Sequence, residues 1–133
     1  MSNSVSTHLM FYGAASEAIK LYESVFEEFK VQELQKYGDS DEAMAGKIKF
    51  ARVKFAGQNL IIIDSPAVHD FTFTPAISMF IDFEDIADLE RAFNVLSENG
   101  EVYMPLDNYG FSPRFGWTQD RYGVSWQLNL KKE

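Results

Sequence analysis

The chain has 133 residues, is 46% hydrophobic and 24% charged, contains no cysteine and carries a formal net charge of −8. That length can bury a core as a single domain, 1–133, without staples, and the missing thiols exclude disulfides, thiolate metal sites and a cysteine nucleophile. The acidity, with no Lys/Arg stripe, argues against nucleic acid, and no apolar run approaches the roughly 20 residues of a membrane span.

The N-terminal MSNSVST lacks the basic and apolar regions of a signal peptide, so a soluble, cytoplasmic protein is expected. A short strand follows at Thr7–Tyr12 and is broken at Gly13-Ala14-Ala15. From about Ser16, Ala18, Leu21, Tyr22, Val25 and Phe26 form one apolar stripe at helical spacing. Three strands come next, Phe29–Tyr37, Lys47–Phe55 and Leu60–Asp64, the last two joined by a tight turn at Ala56-Gly57-Gln58. Gly38–Gly46 is an acidic loop, and Ser65–Pro75 is a linker.

The pattern then repeats. Ile77–Phe83 reads as a strand, Asp85 as the cap of a helix starting at Ile86, and Gly100 as its end. Leu89, Ala92, Phe93 and Leu96 lie 71 positions after Ala18, Leu21, Tyr22 and Val25, and the same shift carries Thr7 to Ser78. Three more strands are expected at Glu101–Leu106, Phe115–Thr118 and Val124–Leu130, with a turn at Asp120–Gly123. The order is strand, helix, three strands, twice, giving module one at 5–66 and module two at 75–131. The fold class is α+β, two βαβββ modules.

The last strand has two unlike faces. Val124, Trp126, Leu128 and Leu130 are apolar, whereas Ser125, Gln127 and Asn129 are polar but uncharged. Alternation puts each set on its own side. An uncharged polar side suits the wall of a small-molecule pocket better than open solvent. Asp82 alternates with Ser78 and Phe80, so it can face the same hollow as a cation ligand or general base. Phe115 and Trp117 share a face and can stack on a flat or cationic ligand, or fill core, while Trp126 belongs to the core. The loop 107–114 is a candidate lid, or simply a long connection, and its one cation, Arg114, is a candidate anion clamp. No serine elbow or His-acid context supports nucleophilic catalysis.

The whole chain resembles the vicinal oxygen chelate superfamily, which includes glyoxalase I, bleomycin-resistance proteins and extradiol dioxygenases. The words that carry the likeness are His8-Leu9-Met10-Phe11, Glu17-Ala18-Ile19 with Tyr22, Pro75-Ala76-Ile77-Ser78 with Phe80, residues 96–100 and 102–106, Phe115-Gly116-Trp117, Asp120, and 122–128 (YGVSWQL). Within that superfamily it is similar to the PhnB-like branch, labelled 3-demethylubiquinone 3-methyltransferase-like, although no glycine-rich nucleotide loop follows a strand. The resemblance implies curved sheets forming a cup, a homodimer, and in metal-bearing relatives a divalent ion held from the first and last strands of each module. Those places fall on Thr7, Ile61, Ser78 and Gln127. Only Gln127 is a donor among them, and a weak one, so no full metal site is expected. His8, adjacent to Thr7, would enter only through a one-residue slip. The expected function is therefore binding of a small molecule by Thr7, Ser78, Phe80, Asp82, Arg114, Phe115, Trp117 and Gln127. A divalent-metal-dependent lyase, isomerase or dioxygenase, a resistance protein sequestering a cationic drug, and a purely structural role are the alternatives.

Overall fold

The computed structural model describes residues 2–132. Its elements are β1 (Thr7–Phe11), α1 (Ala15–Val25), β2 (Phe29–Lys36), β3 (Ile48–Phe55), β4 (Gln58–Asp64), β5 (Ser78–Phe83), α2 (Ile86–Ser97), β6 (Glu101–Asp107), β7 (Phe115–Gln119) and β8 (Ser125–Leu130). The expected α+β order is observed, with element ends shifted by one or two residues. The chain divides into two compact units, one running to Thr72 and the other starting at Phe73. No helix among the described residues is long and apolar enough to cross a membrane.

In the first unit the strand order is β1-β4-β3-β2. β1 runs parallel to β4, and the other neighbours are antiparallel. The β3–β4 hairpin turns on Ala56 and Gly57, both at positive φ (48° and 88°). That left-handed pair matches the twist of the flanking strands, and glycine takes the second place without strain. Helix α1 buries Ala15, Ala18, Ile19 and Tyr22. Beyond its end, Phe26, Phe29 and Phe55 pack with ring centroids 5.0–5.3 Å apart. Burying each of these rings contributes about 1.5–3 kcal/mol.

A charged side chain organises the same unit. Asp64 ends β4 and is 0% exposed. Its Oδ1 accepts the N–H of Gly13 (2.7 Å) and of Ala15 (3.0 Å), and its Oδ2 accepts the N–H of Ile48 (2.9 Å). Helix α1 has no side-chain cap from its own N-cap residue, Ala14. Asp64 takes over that task from a distant strand and adds a negative charge at the helix N-terminus.

The second unit has strand order β5-β8-β7-β6, again with one parallel pair, β5 and β8. Asp85 caps α2 as expected, accepting the N–H of Ala87 at 2.8 Å. Leu89, Ala92, Phe93 and Leu96 are all buried, as their spacing predicts. The helix end differs from expectation, because the left-handed residue is Asn99 (φ 58°) and not Gly100. Gly100 is required for another reason: a side chain there would overlap the backbone oxygen of Gln119. Gly116 lets α2 seat directly on β7, since a Cβ would overlap Phe93 and stand 2.8 Å from Leu106 Cδ2. Trp126 is core, 1% exposed, and its indole N–H donates to Asp120 Oδ2 at 2.8 Å. Asp120 Oδ1 also accepts the N–H groups of Tyr122 and Val124, which fixes the β7–β8 turn.

Candidate functional site

The pairing of β5, β8 and β7 sets side chains in three rungs on one face of the second sheet, opposite the face covered by α2. One rung is Ser78, Ser125 and Gln119, the next Phe80, Gln127 and Trp117, and the third Asp82, Asn129 and Phe115. Paired residues project to the same side, and rungs two residues apart share it. Tyr103 of β6 joins this face: its ring lies 5.0 Å from that of Trp117 and its hydroxyl donates to Gln119 Oε1 at 2.8 Å. Desolvation, and secondarily the Glu101 carboxylate, raise the Tyr103 phenol above its ordinary pKa.

Hydrogen bonds tie the first two rungs into one relay. Trp117 Nε1 donates to Ser125 Oγ at 2.9 Å, the Ser125 and Ser78 hydroxyls share a hydrogen bond of 2.6 Å, and Gln127 Nε2 donates to Ser78 Oγ at 3.1 Å. Ser125 also lies 3.4 Å from the carbonyl oxygen of Pro75. Among the described residues the Gln127 carbonyl has no protein partner. On the third rung Asn129 Nδ2 donates to Asp82 Oδ1 at 2.8 Å.

Six of the eight residues singled out from the sequence therefore fall on this face: Ser78, Phe80, Asp82, Phe115, Trp117 and Gln127. They differ in accessibility. Phe80 is 55% exposed, whereas Phe115 is 3% exposed beneath the rings of Phe80, Tyr109 and Phe111. Phe115 supports the wall and does not present a stacking surface. The loop 107–114 folds back onto it through Tyr109 and Phe111, with Tyr109 pinned by a 2.6 Å hydrogen bond to the Pro105 carbonyl.

The other two residues lie elsewhere. Arg114 adjoins Phe115 and points to the opposite side. Its guanidinium meets Glu90 of α2 at 3.2 Å and the Leu106 carbonyl at 3.3 Å, and its Nε is buried with no partner among the described residues. It ties the helix to the sheet on the side away from the polar face. Thr7 is misplaced by one residue. It pairs with Leu60 and, with Leu9 and Phe11, lies on the α1 side of the first sheet; His8 pairs with Ile61 on the other side.

The register explains the slip. Phe11 pairs with Asp64 and Phe83 with Leu130, so the first strands of the two units are related by 72 positions and the last strands by 66. The helices are related by 71, because three residues join β1 to α1 and only two join β5 to α2. The counterpart of His8 is thus Phe80, as Ile61 is that of Gln127. At these positions the first unit sets a histidine beside an isoleucine, and the second a phenylalanine beside a glutamine. Among the described residues no group of three or more His, Asp or Glu side chains stands together to hold a metal ion. The donors do not fit the divalent site that the superfamily resemblance implies.

Ser125, Asn129, Gln119 and Tyr103 were missing from the sequence-derived set. The first two were visible as the polar side of β8. Tyr103 was not, because irregular pairing between Val102 and Met104 breaks the alternation that would have placed it.

Comparison with known proteins identifies the lineage. The family model described as 3-demethylubiquinone-9 3-methyltransferase matches residues 3–129. The chain belongs to this PhnB-like family. It is 38% identical to the PhnB protein from Bacillus cereus, with a TM-score of 0.91 over 97% of this chain and 100% of that one. The protein PA1353 from Pseudomonas aeruginosa is 28% identical, with a TM-score of 0.85 over 99% and 100%. A glyoxylase/bleomycin resistance protein/dioxygenase domain from Frankia sp. shares the fold at 12% identity, with a TM-score of 0.67 over 100% of this chain and 94% of that one. The likeness to the Frankia domain is one of fold, two units of strand, helix and three strands each.

Proposed function

We propose that the protein binds a small molecule on the polar and aromatic face of its second sheet, and that binding does not depend on a divalent metal. The observation that carries this reading is the relay from Trp117 through Ser125 and Ser78 to Gln127. Side chains from three strands hold one another in fixed rotamers, so the Gln127 amide is ordered before a ligand arrives. Its carbonyl and second N–H remain to be paired, beside the exposed ring of Phe80. A few placed polar groups among aromatics is the composition of small-molecule sites.

The reading does not extend to the methyl transfer that the family description names. A nucleotide-type methyl donor would use the N–H groups at a strand-to-helix turn. Here Asp64 occupies those of Gly13 and Ala15, and Asp85 that of Ala87.

Native mass spectrometry of the purified full chain, compared with Gln127→Ala, tests the binding reading. The expected result is a copurifying compound that the variant fails to retain. Equal retention by both proteins would move the site elsewhere. Thermal-shift measurement with manganese, nickel or zinc tests the metal-independent part, which falls if a large stabilisation appears and disappears in Gln127→Ala.

A further inference from the structure

We infer that the molecule taken by this face is a flat organic cation, an aromatic compound bearing a protonated amine, and that Asp82 selects its charge. The inference rests on the binding reading above and deepens it.

Three neighbouring groups define the preference. Asp82 lies on the same strand as Phe80, one rung further along, and diagonally across from Gln127. Its Oδ1 is held by the Asn129 amide at 2.8 Å, while Oδ2 has no protein partner and the carboxylate forms no ion pair among the described residues. A neutral amide fixes the rotamer without cancelling the charge, which a lysine or arginine in its place would do. Phe80, on the Gln127 rung and next to the carboxylate along β5, exposes a large ring. A cation set against Asp82 also reaches a ring face. The diagonal between neighbouring strands is about 7–8 Å, close to the end-to-end span of a para-substituted benzene with two-atom arms. Gln127 then meets a neutral donor–acceptor group at the far end. Within β5, β6, β7 and β8 this face carries no lysine or arginine to receive an anion, and Arg114, nearby in sequence, is turned away to Glu90.

Three matched probes test the inference on the full-length protein: 4-(aminomethyl)benzamide, 4-methylbenzamide and 4-carbamoylbenzoate. The readout is the Trp117 indole N–H signal in a nitrogen-15 correlation spectrum, with the Trp126 signal as internal control. The cation is expected to bind about fivefold tighter than the neutral amide, and the anion more weakly than either. In Asp82→Asn the cation should fall to within roughly twofold of the neutral amide measured on the same variant. Equal affinities in the unaltered protein, or a preference that survives Asp82→Asn, would overturn the inference and leave the binding reading standing. No response of Trp117 to any probe at millimolar concentration would overturn both.

Discussion

Replacing Asp64 with alanine should cost the first unit a large part of its stability. The carboxylate is 0% exposed and receives three backbone N–H groups, from Gly13, Ala15 and Ile48, at 2.7–3.0 Å. Each orphaned buried donor costs about 1–3 kcal/mol. Water entering the space left by the side chain will rescue part of this, so a loss of about 3–5 kcal/mol is expected. That compares with the 5–15 kcal/mol that holds a typical domain together. At about 3–4 °C per kcal/mol for a chain of this size, the melting point should fall by roughly 10–20 °C. Asp64→Asn keeps one acceptor oxygen but turns an N–H group toward a backbone N–H, so about half of the loss should remain. Both tryptophans, Trp117 and Trp126, lie in the second unit, so urea unfolding is best followed by far-ultraviolet circular dichroism, which reports α1 and its sheet. A loss below about 1 kcal/mol for the alanine variant would show that these three bonds do not anchor the β1–α1 junction.

Three further perturbations probe the second unit. Ser125→Ala removes the 1%-exposed hydroxyl that receives Trp117 Nε1 and shares a hydrogen bond with Ser78; a loss of about 1–3 kcal/mol is expected, with an altered Trp117 indole N–H shift, and an unchanged shift would refute the relay. Gly116→Ala forces a methyl into Phe93 and Leu106; denaturant melts should show about 1–3 kcal/mol of destabilisation, and a neutral result would mean that α2 is not seated on β7. Tyr103 has a phenol pKa raised above 10.0 by desolvation and then by Glu101. The raised value favours the protonated folded state, so its contribution is complete below the ordinary tyrosine range and is lost as pH climbs through the raised pKa. Melting temperatures across the alkaline range should decline less steeply in Tyr103→Phe than in the unaltered chain, and equal slopes would contradict the assignment.

The parts of this structure legible in the sequence are those written in periodicity. The α2 stripe is buried residue for residue, and the polar side of β8 does carry the relay, because each pattern is set within one element. Contacts closed by residues far apart in sequence left little local trace. Asp64 reads as an ordinary strand-end carboxylate, yet it caps a helix whose own N-cap residue, Ala14, cannot. Arg114 reads as a loop cation, although alternation with its neighbour Phe115 already forbids both from facing one way.

Thr7 shows how a correct repeat gives a wrong residue. The shift of 71 was taken from the helices, where it holds. The first strands, β1 and β5, obey 72, because Tyr12-Gly13-Ala14 is one residue longer than Glu84-Asp85. A strand inverts its faces with every single step, so one residue in a connection makes Ser6, on the side of His8, and not Thr7 the counterpart of Ser78. The signal that could have prevented it lies in β1 itself. Leu9 and Phe11 are the buried pair, which places Thr7 with them by alternation and leaves His8 with Met10 on the other side. Within the second unit the residue paired with Gln127 is Phe80, and Ser78 reaches the same amide, accepting from Gln127 Nε2 at 3.1 Å. The centre of the polar face is then an aromatic ring beside an amide, with the serine hydroxyls one rung away.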